Sequence, residues 1–140
     1  MHPTAGILKT KKWRDELFCT HVYFNGNCRK AIELYKKALG AEVLTLIPNQ
    51  ATGKENEVIH SEIRIHDQTL IMNDYGDNEG ITKSSGFQLT VQFETVKQLE
   101  ESYSILSDSS VTLKPKQPTD YSECVVRFID QFGIHWGLWV

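Results

Sequence analysis

The stretch FNGNCRKAIELYKKALGAE, residues 24–42, decides the fold of the first half of this chain. It opens on the turn signal NGN, and Asn27 is a residue type favoured at the N-cap of a helix. Gly40 is the residue type that ends a helix in the left-handed conformation. Because FCTHVYFN (18–25) is rich in β-formers, the sequence predicts a strand that leads directly into a helix over 28–39. The apolar face of this helix repeats at spacings of three and four and comprises Ala31, Ile32, Tyr35, Ala38 and Leu39.

The same order of elements returns after YGDNEGITKSSG (75–86), a Gly- and Ser-rich stretch that is the predicted linker. Thr95 and Gln98 have the spacing of a capping box and predict where the second helix begins. Aligning the later turns of the two halves places Arg64 on Arg127. The order is βαβββ twice, which predicts an α+β fold built from a duplicated module. The remaining predicted strands are 42–48, 58–65, 69–74, 87–93, 111–113, 124–129 and 134–139, with a proline-containing loop, KPKQPTD, at 114–120.

Composition excludes several classes of function. The 140 residues carry 15 Lys and Arg against 18 Asp and Glu, so the net charge of −3 disfavours a nucleic-acid backbone binder. No apolar run approaches the roughly 18–20 residues of a membrane span, and the N-terminal residues lack the apolar core of a secretory signal. The three cysteines are an odd number without a CxxC motif, which favours a reducing cytoplasm over a disulfide framework.

Four stretches together resemble one superfamily. The chain is similar to the vicinal-oxygen-chelate proteins, which include glyoxalase I, bleomycin-resistance proteins and extradiol dioxygenases. The similarity is to its PhnB-like branch, often labelled 3-demethylubiquinone-9 3-methyltransferase-like. The stretches that carry the resemblance are FNGNCRKAIELYKKALGAE (24–42), VIHSEIRIHDQTLIMND (58–74), LTVQFETV (89–96) and RFIDQFGIHWGLW (127–139).

The resemblance implies an architecture as well as a family. We expect two curved mixed sheets that form open cups, with the helices on their outer faces. A single glyoxalase/bleomycin-resistance-like domain is expected over 18–140, made of modules 18–76 and 86–140. Residues 1–17 are expected to form an N-terminal arm that the resemblance does not cover. A shared fold does not imply a shared reaction, so the function has to be argued from the site.

The metal enzymes of this superfamily typically place a His or Gln on the first strand of each module and a Glu on the last. Of the four matching positions here, only Gln88 could ligate a divalent ion, because a Thr, a thioether and a missing side chain are poor ligands. We therefore expect no metal site and no cofactor. A slip of one residue would make His21 a ligand, but we interpret it as a helix-facing histidine. The four positions are Thr20, Met72, Gln88 and Gly137.

The resemblance and the alternation of strand side chains together give an expected function. We expect a protein that binds or sequesters an aromatic or amphipathic small molecule, as the resistance members of the superfamily do, without the usual metal site. The predicted ligand-binding residues are Phe24, Met72, Gln88, Thr90, His135 and Trp139.

A second function remains open at this stage. His60 and Glu62 share one face of a predicted strand, where they could meet solvent, join a metal or form an acid–base pair. The alternative is therefore a metal-dependent lyase, isomerase or dioxygenase-type enzyme with an atypical divalent-metal site at these two residues. An S-adenosylmethionine methyltransferase is disfavoured, because neither FNGN (24–27) nor FETV (93–96) is a Gly-rich strand-to-helix turn.

The resemblance also implies a homodimer, formed side by side or by exchange of modules, and two-fold dimers are the commonest assembly. Light scattering that gives the 16.0 kDa of a single chain would contradict this expectation. The sequence leaves open the identity of the ligand, whether any reaction is catalysed, and what residues 1–17 do.

Overall fold

The computed structural model describes residues 18–74 and 86–140. The predicted arm at 1–17 and nearly all of the predicted linker at 75–86 lie outside the described residues. A division between Ile81 and Thr82 separates two compact units. Their described parts, 18–74 and 86–140, are called the first unit and the second unit below.

The first unit is a βαβββ module, as predicted. Its four strands form one mixed sheet in the order β1-β4-β3-β2, in which β1 and β4 run parallel and the other neighbours run antiparallel. Gly40 ends the helix in the left-handed conformation, at φ 66°, as its residue type predicts. The elements are β1 (Thr20–Phe24), α1 (Cys28–Leu39), β2 (Glu42–Pro48), β3 (Val58–Ile65) and β4 (Gln68–Asp74).

One face of the first sheet is covered by α1. The hydrogen bonds of Asp74 show which face this is. The Asp74 side chain accepts hydrogen bonds from the backbone N–H groups of Gly26 and Cys28 at the start of α1. Because side chains alternate along a strand, Met72 shares this face, and so does its β1 partner Val22. We call this the helix face of a sheet and the opposite side its distal face.

The second unit repeats the module. Its sheet has the order β5-β8-β7-β6, again with one parallel pair, β5 and β8. The predicted capping box is confirmed, because the Thr95 side chain accepts from the Gln98 N–H while the Gln98 side chain accepts from the Thr95 N–H. The elements are β5 (Leu89–Gln92), α2 (Val96–Leu106), β6 (Val111–Thr119), β7 (Ser122–Ile129) and β8 (His135–Trp139).

The predicted loop at 114–120 is wrong for most of its length. β6 continues through Pro115 and Pro118 to Thr119. Proline is tolerated there because β6 lies at the edge of its sheet, where one side of the strand needs no hydrogen-bond partner. The pairing with β7 also shifts register three times along the strand, which accommodates residues that cannot donate.

The two four-stranded mixed sheets, each with one helix on one face, confirm the predicted α+β class and the paired βαβββ order. Within the described residues neither sheet closes into a barrel. None of the helices in these two ranges is long and apolar enough to cross a membrane.

Candidate ligand-binding site

A cavity of ≈ 210 Å³ lies on the distal face of the second sheet. Strands β5, β7 and β8 supply most of its walls, because Thr90 and Arg127 are both register partners of Gly137 and their side chains point to the same face. The turn between β6 and β7 contributes one aromatic ring. The lining residues are Gln88, Thr90, Tyr121, Val125, Arg127, Gly137, Leu138 and Trp139.

The Gln88 carboxamide is fixed in the cavity by two hydrogen bonds. Its Oε1 accepts from Arg127 Nε at 3.0 Å, and its Nε2 donates to Thr90 Oγ1 at 3.2 Å. The amide lies over the backbone of Gly137, where any Cβ atom would overlap Gln88 Nε2 and approach Gln88 Cδ to 3.0 Å. Because residue 137 is a glycine, the space that the Gln88 amide occupies is free of any side chain.

The other walls are aromatic and apolar. The rings of Tyr121 and Trp139 meet edge to face, with centroids 5.9 Å apart. Val125 lies beside Trp139 across the β7–β8 pair. The cavity thus combines an amide, a hydroxyl and a guanidinium with a hydrophobic wall, a composition typical of small-molecule sites.

The structure brings three of the predicted ligand-binding residues together here, namely Gln88, Thr90 and Trp139. His135 lies on the same face, paired with Ile129, two positions along β8 from Gly137 and outside the lining of the cavity. Gln88 and Thr90 point away from α2, since Val91 and Phe93 are the buried side chains of this strand region. The alternation predicted for β5 is therefore confirmed.

The prediction of which side chains of β1 and β4 point away from the helix is wrong. Phe24 and Met72 are 3% and 0% exposed and lie on the helix face, on the side of Asp74, so they do not line the distal face of the first sheet. His21 points to the distal face instead of toward α1. Its Nε2 donates to Asn73 Oδ1 at 2.5 Å, and its ring stacks on Tyr23 with centroids 4.3 Å apart.

His60 and Glu62 form a hydrogen-bonded pair on the distal face of the first sheet. His60 Nε2 and Glu62 Oε2 are hydrogen-bonded at 2.8 Å. The Glu62 side chain is fully buried, whereas 27% of the His60 side chain is exposed. Among the described residues nothing forms a hydrogen bond with Glu62 Oε1. A carboxylate in this state can accept a proton or a donor from a ligand.

Asp74 and Cys28 contribute to the packing and hydrogen bonding of the first unit. Besides its bonds to the start of α1, Asp74 accepts from the Val58 N–H through Oδ2 at 2.8 Å. Burial, and then the nearby Asp74 carboxylate, raise the pKa of the Cys28 thiol to about 12. Cys28 is therefore a protonated core residue at neutral pH.

Sequence reasoning missed four of the cavity residues: Tyr121, Val125, Arg127 and Leu138. Val125 and Arg127 could have been found, because they alternate with buried β7 residues and lie opposite Trp139 and Gly137. Tyr121 sits in a turn whose direction depends on how far β6 extends, and the sequence did not reveal that extension.

The four positions that match the superfamily's metal ligands do not present a ligand set. Thr20 and Met72 belong to the helix face of the first sheet. Gln88 is engaged by Arg127 and Thr90, and Gly137 has no side chain. Within residues 18–74 and 86–140, no three His, Cys, Asp or Glu side chains lie together in a group that could hold a metal ion.

Comparison with known proteins agrees with this architecture. The model of the family described as 3-demethylubiquinone-9 3-methyltransferase matches residues 16–139. Protein YjdN of Escherichia coli (strain K12) is 24% identical, and the match covers 83% of this chain and 89% of YjdN. The structure of the PhnB protein from Bacillus cereus superposes with a TM-score of 0.81 at 22% identity, covering 89% of this chain and 98% of that one.

A more distant structure shares the fold. It is a variant of FosX, a fosfomycin resistance protein from Listeria monocytogenes, in complex with Mn(II) and dihydroxypropylphosphonic acid. The TM-score is 0.66 at 10% identity, over 89% of this chain and 90% of FosX. At this identity the similarity shows the fold and carries no residue role from one chain to the other.

Proposed function

The chain belongs to the family described as 3-demethylubiquinone-9 3-methyltransferase, and from this premise we propose that it binds a small organic molecule in the cavity of its second unit without using a divalent metal. The ligand is aromatic or amphipathic, because the cavity has an apolar wall of Val125 and Trp139 opposite a polar edge. The reaction in the family's description is not part of this proposal.

One observation carries the proposal: the Gln88 carboxamide lies over Gly137, bound at both ends by protein groups. In the superfamily's metal enzymes the position of Gln88, on the first strand of the module, and that of Gly137, on the last strand, both carry metal ligands. The ligand on the last strand is a carboxylate. Here the carboxylate is missing, and the amide occupies the space beside it. The residues present therefore do not fit the usual ion, whereas they do provide fixed hydrogen-bonding groups around an open cavity.

Occupied helix starts argue against a methyltransferase. Phosphate- and nucleotide-binding folds direct free backbone N–H groups at the start of a helix toward the ligand. In this chain Asp74 accepts from the N–H groups of Gly26 and Cys28 at the start of α1, and the capping box of α2 uses those of Thr95 and Gln98. These four groups are therefore not free for an S-adenosylmethionine carboxylate or ribose.

Fragment binding monitored by two-dimensional NMR tests the proposal. After exhaustive treatment with a chelator, the chain should still bind small aromatic compounds, and the backbone signals of Thr90, Gly137 and Trp139 should shift most. The variant Gly137→Leu fills the cavity from its floor and should abolish these shifts while the rest of the spectrum stays dispersed. Binding that requires added Mn(II), Ni(II) or Zn(II), or shifts confined to the first unit, would contradict the proposal.

A second candidate function has its own observation, the buried Glu62 carboxylate with one oxygen unpartnered beside His60. This pair could act as a general base in an enzyme of the superfamily, with His60 Nδ1 accepting the proton. It provides only two donors, and protein metal sites normally use three or more. We rank this enzyme below the binding protein, and substrate-dependent turnover lost in His60→Ala would reverse the order.

Several further expectations belong to the same proposal. The chain acts as a homodimer in the cytoplasm, without nucleic-acid or membrane partners. One domain spans 18–140, with modules 18–76 and 86–140 and an arm at 1–17. The molar mass in solution, twice 16.0 kDa for a dimer, tests the assembly directly.

A further inference from the structure

Arg127 defines the chemical class of the ligand, an inference that rests on the proposed function of the cavity. We infer that the second unit selects small aromatic carboxylates, with the carboxylate on the Arg127 guanidinium and the ring against Trp139. The polar edge of the cavity supports the first half of this statement, and its wall and volume support the second.

The guanidinium of Arg127 is held in place by a neutral partner. Its Nε donates to Gln88 Oε1 at 3.0 Å, and Gln88 is itself fixed by Thr90. Within residues 18–74 and 86–140, Arg127 has no ion pair with a carboxylate. The two terminal nitrogens therefore keep their donors for a ligand, and their planar arrangement matches the two oxygens of a carboxylate.

The charge of the cavity lining agrees with an anionic ligand. Arg127 is the single ionic side chain among the eight described lining residues, and none of them is acidic. Arg127 is an exposed residue whose charge water can solvate, so a neutral ligand gains no charge-assisted hydrogen bond from it. Binding a carboxylate neutralises it with charge-assisted hydrogen bonds, which are about twice as strong as neutral ones.

The apolar wall sets the size and shape of the remainder of the ligand. Trp139 and Tyr121 meet edge to face at 5.9 Å, so a planar ring can pack against either ring without disturbing the pair. The volume of ≈ 210 Å³ equals that of about seven water molecules. This space suits a single substituted ring.

Matched probes distinguish the carboxylate from the ring. Benzoate, benzamide and cyclohexanecarboxylate have nearly the same size, but the second lacks the charge and the third lacks the aromatic ring. We expect benzoate to bind at least about tenfold more tightly than benzamide, the effect of one charge-assisted contact. Cyclohexanecarboxylate should bind with an affinity between the two. Titrations followed at the Thr90 and Gly137 backbone signals measure all three affinities.

Two arginine variants provide the matched control. Arg127→Met should weaken the binding of benzoate by about tenfold or more and change the affinity for benzamide by less than about twofold. Arg64→Met removes the same charge at the equivalent position of the first unit and should leave both affinities unchanged. Arg127→Lys keeps the charge without the planar fork, so it should retain part of the preference even if Arg127→Met folds poorly.

Each outcome has a distinct meaning. Equal affinities for benzoate and benzamide, or a benzoate affinity unchanged in Arg127→Met, would overturn the inference and leave the binding function in place. The absence of benzoate binding in the folded chain would also overturn it. Failure of every aromatic fragment, neutral ones included, would overturn the proposed function itself.

Discussion

Replacing Asp74 by alanine should lower the free energy of unfolding by about 3 kcal/mol or more, as measured by urea denaturation. Asp74 is 6% exposed, and its two oxygens accept from three backbone N–H groups: those of Gly26 at 2.6 Å, Cys28 at 3.1 Å and Val58 at 2.8 Å. Alanine would leave these donors without a partner where water reaches them poorly. This large loss is expected because one carboxylate joins the β1–α1 turn, β3 and β4.

The matched controls for Asp74 separate the hydrogen bonds from the charge. Asp108→Ala removes an exposed carboxylate after α2 and should change the stability by less than about 0.5 kcal/mol. Asp74→Asn keeps the size of the side chain but places an NH₂ group against a backbone donor, so its loss should be intermediate. If Asp74→Ala were as mild as Asp108→Ala, Asp74 would not be the residue that caps α1.

Removing the imidazole in His60→Ala is expected to destabilise the chain by about 2–3 kcal/mol. The reason is that the Glu62 side chain, 0% exposed, would lose the hydrogen bond at 2.8 Å that now serves one of its oxygens. Its other oxygen already lacks a partner among the described residues. A buried carboxylate without any partner is among the most costly arrangements in a protein.

The double variant His60→Ala with Glu62→Met tests this explanation. If the cost comes from the orphaned carboxylate, then replacing it with an apolar side chain of similar length should restore most of the lost stability. Glu62→Met alone should be neutral or stabilising for the same reason. A double variant less stable than His60→Ala would mean that His60 stabilises the sheet through contacts other than Glu62.

A stabilising Glu62→Met would also bear on function. Proteins retain a buried, incompletely partnered carboxylate at a cost in stability when its chemistry is used. The result would therefore direct attention to the His60–Glu62 pair as the second candidate site.

The sequence predicted the elements well because each has a strong local signal. The capping box of Thr95 and Gln98 and the left-handed Gly40 are determined by neighbouring residues alone. The face of β5 was predictable as well, since polar Gln88 and Thr90 alternate with Val91 and Phe93. Where one face of a strand is apolar and the other polar, alternation is sufficient.

The faces of β1 and β4 could not be predicted in this way. In FCTHVYFN (18–25), large apolar or aromatic side chains occur at both odd and even positions, so alternation does not say which side meets the helix. The side is decided by Asp74, whose bonds to Gly26 and Cys28 join residues far apart in the sequence. Such a long-range polar contact leaves no periodic signal.

The residues of the candidate site were predictable where strand alternation placed them and were missed where a long-range contact did. Gln88, Thr90 and Trp139 followed from alternation and from the resemblance of the last strands. Arg127 was identified only as the counterpart of Arg64 and as part of a matching stretch, although its place opposite Gly137 makes it the ionic group of the cavity. Tyr121 depends on an edge strand that passes through two prolines, which argue locally for a loop.

The metal content of the purified chain tests the central claim most directly. The protein should be prepared without chelators or metal-affinity steps, and its manganese, iron, nickel and zinc measured by elemental analysis. With Gln88 bound to Arg127 and Thr90 above Gly137, we predict far less than one ion per chain. One tightly held ion per chain, lost in Gln88→Ala or in His60→Ala, would contradict the account.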